Sequence, residues 1–231
     1  MHVTILKNIS ITFDLDGTLV DTAPDLVRVL NTVIAPDGLA PVAVEDARSL
    51  IGFGSMAMIK QAYQNANVTL DEPNAISIQR EFLNLYAQDL SQVSTEYPGV
   101  TEVLSQLKRA GARLSVCTNK PGAMARPLLE QLGLAQFFDK IVGSGDNVPT
   151  KPAPEHIFAA VGHRGGRHRG SGKIVMVGDG APDVFAARAA KVPIVLMSYG
   201  YSPISVHTFG ADAVLRNFRE LPFALESILA P

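Results

Sequence analysis

The sequence predicts an α/β fold, a Rossmann-like parallel sheet core into which a helical unit is inserted. Two observations predict the sheet. Short β-branched runs alternate from residue 100 onward with stretches whose apolar positions follow a helical period, the pattern of strands joined by crossover helices. Polar residues able to meet a ligand fall just after several of those runs, where open parallel sheets bind their ligands. A third observation predicts the insertion: between the first and second runs the chain carries helical patterns and no convincing strand.

The first strand is expected at 9–13. Thr22-Ala23-Pro24-Asp25 then resembles a helix start, with a capping hydroxyl, an early proline and an acidic first turn. Leu26, Val27, Leu30, Val33 and Ile34 continue it along one face. Further helices are expected at 44–51, 55–65 and 71–92, separated by Gly52-Phe53-Gly54 and Asn67-Val68-Thr69, and Tyr97-Pro98-Gly99 turns the chain back. Strands follow at 113–117, 140–142, 174–177, 193–197 and 212–215. Helices are expected at 100–110, 123–132, 155–161, 182–190 and 219–229. The division this implies is a core of residues 1–20 and 95–231 and a helical unit of residues 21–94. The Gly- and Arg-rich segment 163–172 precedes a strand, so a solvated loop at the edge opposite the ligand site is expected there.

Composition narrows the function. The 231 residues are 47% apolar and 18% charged, a globular composition. A net charge of −2 offers no electrostatic reason for nucleic acid or an anionic membrane as partner, and a small soluble ligand fits better. The first eight residues lack the features of a signal peptide, and no apolar run reaches the length of a membrane span. Cys117 is the single cysteine, which excludes an internal disulfide and suits the cytoplasm. It lies in an apolar run and reads as a core residue. The five histidines show no metal-ligand spacing and are expected at the surface.

Asp14 and Asp16 close the first strand two residues apart, so they project to the same side. Two neighbouring carboxylates repel, and a bound cation is the usual remedy; Mg²⁺ prefers oxygen ligands. Asp179 offers a further carboxylate, with Asp183 one helical turn beyond it, where a helix cap is the plainer reading. Lys151 supplies a point charge for phosphate oxygens, Thr118 a hydroxyl and Asn119 an amide.

Asp14-Leu15-Asp16-Gly17-Thr18-Leu19-Val20-Asp21-Thr22, Thr118-Asn119-Lys120-Pro121, Lys151-Pro152 and Gly178-Asp179-Gly180-Ala181-Pro182-Asp183 resemble the four ordered motifs of the haloacid dehalogenase superfamily. The position of the helical insertion resembles that superfamily's cap. Within it, Ala47-Arg48-Ser49-Leu50-Ile51-Gly52-Phe53-Gly54 and Ser198-Tyr199-Gly200-Tyr201 are similar to segments of phosphoglycolate phosphatases. Gly180 departs from the pattern, standing where serine or threonine is common, which loosens the expected hydrogen bonding around Asp179.

The resemblance implies Asp14 as nucleophile, forming an aspartyl-phosphate, and Asp16 as the acid that protonates the leaving alkoxide and then the base that activates water. It implies Mg²⁺ held by Asp14, the Asp16 carbonyl and Asp179, with Asp183 orienting them, and Thr118, Asn119 and Lys151 on the transferring oxygens. Arg48, Lys60, Lys120, Arg126 and the Gly52 to Gly54 loop are candidates for a substrate carboxylate. The partner implied is a small phosphorylated substrate, on a monomer or homodimer. Alternatives keep the same residues: a phosphatase of another small ester, a sugar-phosphate mutase, or an inactive binding module. The intact acidic pair argues against a dehalogenase.

Overall fold

The computed structural model of the protein describes residues 6–162 and 173–230. The segment 163–172 lies outside them, and so does the expectation made for it.

In chain order the elements are β1 (Ser10–Phe13), β2 (Val20–Asp21), α1 (Ala23–Ile34), α2 (Val44–Ile51), α3 (Ser55–Asn65), α4 (Glu72–Gln88), β3 (Thr95–Glu96), α5 (Val100–Arg109), β4 (Arg113–Pro121), α6 (Gly122–Gln131), β5 (Lys140–Ser144), α7 (Pro154–Ala160), β6 (Ile174–Gly178), α8 (Ala181–Ala190), β7 (Ile194–Met197), β8 (Ala213–Leu215) and α9 (Leu221–Leu229). Six strands form one parallel sheet in the order β5-β4-β1-β6-β7-β8. Strand order reverses about β1, with Phe13 opposite Val116 on one side and Val177 on the other. The carboxyl ends of β1, β4 and β6 therefore meet at the switch point, where such sheets hold ligands.

Both faces of the sheet are covered, as the near-continuous apolar strands require. Ile11, Phe13, Leu114, Val116, Val175 and Val177 point into a core shared with α5, α6 and α9. Their neighbours Cys117, Ile174 and Met176 point the other way, against α7 and α8. No helix among the described residues is long and apolar enough to cross a membrane.

Helices α1 to α4 pack together around Leu30, Ile34, Met58, Ile59, Phe82 and Tyr86, all buried. The chain leaves the sheet and returns to it through a short ribbon that the sequence did not reveal: β2 pairs antiparallel with β3, Val20 opposite Glu96. Two residues per strand carry too little alternation to register as a pattern.

Helix α4 ends at Gln88, short of the expected 92, because the next residues are bound elsewhere. Asp25 is fully buried, and its Oδ2 accepts from Val93 N (2.9 Å), Ser94 N (2.7 Å) and Ser94 Oγ (2.7 Å), while Arg28 holds Oδ1. The acidic residue read from sequence as first-turn charge thus pins the returning chain to α1. Burial opposes its charge, but these donors hold the carboxyl below its usual value.

A lowered folded-state pKa gives stability that is complete above the ordinary value of 3.8 and lost as pH falls through the lower folded value. Asp25→Asn should therefore lower unfolding free energy by about 3 kcal/mol at neutral pH. Urea unfolding from pH 7 to pH 3 should show the gap to the unsubstituted protein constant down to about pH 4 and narrowing below it.

Candidate active site

Asp14 follows Phe13 directly, its N–H donating to Val177 O at 2.9 Å. Its Oδ1 accepts from Leu15 N at 2.7 Å and faces Lys151 Nζ at 2.9 Å. The chain then folds tightly over residues 15–20, with Leu19 N and Val20 N both donating to Leu15 O. Gly17 makes this turn possible: its φ is +84°, and a Cβ there would lie 2.5 Å from Asp179 Oδ2. The turn carries Asp16 back over the strand end, where its Oδ1 accepts from Thr22 Oγ1 at 2.7 Å and Lys120 Nζ at 3.0 Å. Thr22 does not cap α1 as the sequence suggested. Its hydroxyl is committed to Asp16, and the Tyr201 hydroxyl accepts from Thr22 N and Ala23 N instead.

Lys151 is buried, with Asp183 Oδ1 at 2.7 Å as its second carboxylate. Asp183 Oδ2 accepts from Asp179 N and Gly180 N, each at 3.1 Å, so the expected helix cap and a charge partner are the same side chain. Asp179 accepts from Thr18 Oγ1 at 2.9 Å and Tyr201 N at 2.7 Å, which secures it without a hydroxyl at position 180. Thr118 lies buried at the same edge, in a strand that runs on to Pro121 rather than ending at 117. Asn119 Nδ2 donates to Lys151 O at 3.0 Å, and its Oδ1 has no partner among the described residues. One amide hydrogen thus holds the Lys151 backbone, and Asn119 still lines the cavity at the strand ends, where the second hydrogen is open to a phosphate oxygen.

One histidine overturns the surface expectation. His156, in the first turn of α7, is fully buried, and its Nδ1 accepts from Lys151 N at 3.1 Å. Burial, helped by the Lys151 charge, pulls it down to about 4, so the ring is neutral and acts as an acceptor.

These groups open into a cavity of about 610 Å³ between the strand ends and the helical unit. Of the cationic candidates, Lys120 reaches its wall, as does the Gly52 to Gly54 loop. Arg48 does not line it: the guanidinium binds both oxygens of Asp21, at 3.1 and 2.8 Å. Lys60 pairs with Glu72 and Arg126 with Asp146. The loop's own Phe53 N and Gly54 N donate to the carbonyls of Leu50 and Ile51.

The model of the haloacid dehalogenase-like hydrolases matches residues 11–197. The chain belongs to the haloacid dehalogenase-like hydrolases. It is 41% identical to a phosphoglycolate phosphatase of Caulobacter vibrioides, over 97% of this chain and 93% of that one. It is also 30% identical to an N-acetylmuramic acid 6-phosphate phosphatase of Pseudomonas aeruginosa, over 95% and 96%. The solved structure of a predicted phosphoglycolate phosphatase from Haemophilus somnus superposes with a TM-score of 0.83 at 29% identity, covering 94% of this chain and 97% of that one.

The carboxylates of this hydrolase fit a divalent cation. Oxygens of Asp14, Asp179 and Asp183 lie within 4.8 Å of one another, an all-oxygen donor set that suits Mg²⁺. Burial raises Asp14 to about 6, with Lys151 opposing and Asp183 and Asp16 adding. Burial also lifts Asp179 well above its usual value, with Asp183 and Asp14 contributing. One ammonium is too little charge for three carboxylates, and a cation would restore the balance. Each Asp179 oxygen accepts one hydrogen bond and keeps a lone pair for a cation, and Asp14 is held through Oδ1, whereas Asp183 is committed to Lys151 through one oxygen and to two backbone N–H groups through the other, so Asp14 and Asp179 are the less committed ligands.

Sequence reasoning missed Thr18, Tyr86 and the support given by His156. Only His156 had a usable signal, its place one turn before Ala160 on the inward face of an apolar helix. His156→Leu leaves the buried Lys151 N–H without an acceptor and should cost about 1–3 kcal/mol. His156→Asn, whose carbonyl can accept that bond, should cost less, an order that urea unfolding of the two variants checks.

Proposed function

We propose that this chain is a phosphomonoester hydrolase that works through an aspartyl-phosphate at Asp14, uses Mg²⁺, and takes phosphoglycolate as substrate. One observation carries the reading. Lys151 fixes one oxygen of Asp14 while Lys120 and Thr22 hold Asp16 separately, so two adjacent carboxylates have different partners and can take different roles.

Asp14 attacks phosphorus through Oδ2, the oxygen not held by Leu15 N and Lys151. The bond to the ester oxygen breaks, and Asp16 gives that oxygen its proton. Asp16 then takes a proton from the water that hydrolyses the aspartyl-phosphate and returns to its starting state. Lys151 and the Thr118 hydroxyl meet the transferring oxygens, since phosphoryl transfer depends chiefly on position and charge. A cation on Asp14 and Asp179 would neutralise phosphate charge and align the two reactants.

Residues 21–94 serve in this reading as a cap that excludes water and selects the leaving group. With Arg48, Lys60 and Arg126 paired elsewhere, the glycolate carboxylate goes to the start of α3, where Ser55 N and Met56 N precede the first intrahelical bonds. The similarity to phosphoglycolate phosphatases supports that substrate. A larger ester is the second reading, favoured by a cavity walled by Phe53, Met58, Phe82 and Met124, more apolar surface than a two-carbon acid can cover.

Phosphate release from a panel of phosphoglycolate, amino-sugar 6-phosphates and simple alkyl phosphates decides between them. The highest kcat/KM is expected for phosphoglycolate; a preference for the amino-sugar ester supports the second reading. Chelation should reduce release to background and Mg²⁺ restore it. Asp14→Asn should stay at background with every ester.

A further inference from the structure

Lys120 stands among the residues expected to bind substrate, yet its ammonium is already surrounded. Its side chain is 3% exposed. Nζ lies 3.0 Å from Asp16 Oδ1 and 3.4 Å from Asp16 Oδ2, and donates to Tyr86 Oη at 2.8 Å. The Tyr86 ring lies under the same ammonium, 4.5 Å from Nζ to the ring centre. Burial acts against the charge, but Asp16 and Tyr86 more than offset it and hold the ammonium above its usual value. Three N–H donors facing two Asp16 oxygens, a hydroxyl and an aromatic face leave none for a substrate anion.

The partners of Asp16 are unequal. Oδ1 takes the short bonds from Thr22 Oγ1 and Lys120 Nζ, whereas among the described residues Oδ2 has only the 3.4 Å approach of Lys120. Two donors on one oxygen fix the rotation of a carboxylate and leave the other oxygen for proton transfer.

We propose that Lys120 and Tyr86 are positioning residues for Asp16, turning its carboxylate so that Oδ2 delivers the proton to the leaving alkoxide. This rests on the hydrolytic reading above. Tyr86 belongs to α4, in the helical unit, while Lys120 belongs to β4 and Asp16 to the turn that follows β1. The orientation of the acid is therefore correct only while α4 lies against the strand ends. When the bond from phosphorus to the ester oxygen breaks, its electron pair goes to that oxygen and the proton on Oδ2 follows. An ester whose leaving group is stable as an anion has little need of that proton.

Leaving-group dependence separates this role from a merely structural one. Tyr86→Phe keeps the ring and removes the hydroxyl, and kcat/KM reports the steps up to loss of the leaving group. For phosphoglycolate, or the best alkyl ester of the panel, kcat/KM should fall about tenfold or more relative to p-nitrophenyl phosphate, a fraction of the 10²–10⁴ that a general acid contributes. Lys120→Met should shift the ratio further in the same direction. Equal losses on both esters, or no loss on either, would overturn the proposal, and thermal melting of each variant shows whether an equal loss reflects unfolding. An unsubstituted protein that hydrolyses neither ester refutes the hydrolytic function itself, and this role with it.

Discussion

Lys151 Nζ, 1% exposed, lies between Asp14 Oδ1 at 2.9 Å and Asp183 Oδ1 at 2.7 Å, and much of the site is arranged around that contact. A buried ammonium is costly unless fully paired, and a pair of this kind seldom adds net stability over apolar packing. Its value is positional. His156 and Asn119 hold the Lys151 backbone from two directions, and Asp183 anchors the Asp179 turn through two backbone N–H groups. One charge thus sets the spacing of three strand ends. Desolvation and mutual repulsion push Asp14 and Asp179 towards protonation, the tension that a cation would relieve.

The junction between sheet and helical unit obeys the same rule, that a buried polar group must be satisfied. The Tyr201 hydroxyl accepts from Thr22 N and Ala23 N and donates to Asp21 at 2.6 Å, and Asp21 in turn binds Arg48. Arg48 therefore braces the root of α1. Asp25 ties the returning strand to the same helix. A second loop approaches closely here too: a Cβ on Gly200 would lie 2.2 Å from Asp179 Cβ, so the turn before Tyr201 needs the space that glycine leaves.

The sheet was legible because strands buried on both faces are short apolar runs and their crossover helices keep a regular period, as in 174–177 followed by 182–190. Asp14, Asp16, Thr118, Lys151, Asp179 and Asp183 could be placed at one edge because parallel topology sends every strand end the same way. Partner choice was not legible. Whether Arg48 meets substrate or Asp21 depends on distances between elements far apart in sequence, and nothing local distinguishes the two. Thr22 and Asp25 looked like an ordinary helix start, because a capping hydroxyl and a first-turn acid have the same letters as residues turned inward to Asp16 and Ser94. His156 was misplaced for the converse reason: a neutral buried histidine has no signature beyond its apolar neighbours.

In the proposed mechanism Asp14, fixed by Lys151 and Leu15, becomes covalently phosphorylated. Mixing the protein and Mg²⁺ with phosphoglycolate labelled in its phosphoryl group, quenching with acid within milliseconds and mapping the labelled peptide tests this directly. Label is expected on the peptide that contains Asp14, formed before free phosphate accumulates and lost on longer incubation. Phosphate released at full rate with no label on the protein, or label on another residue, would contradict it.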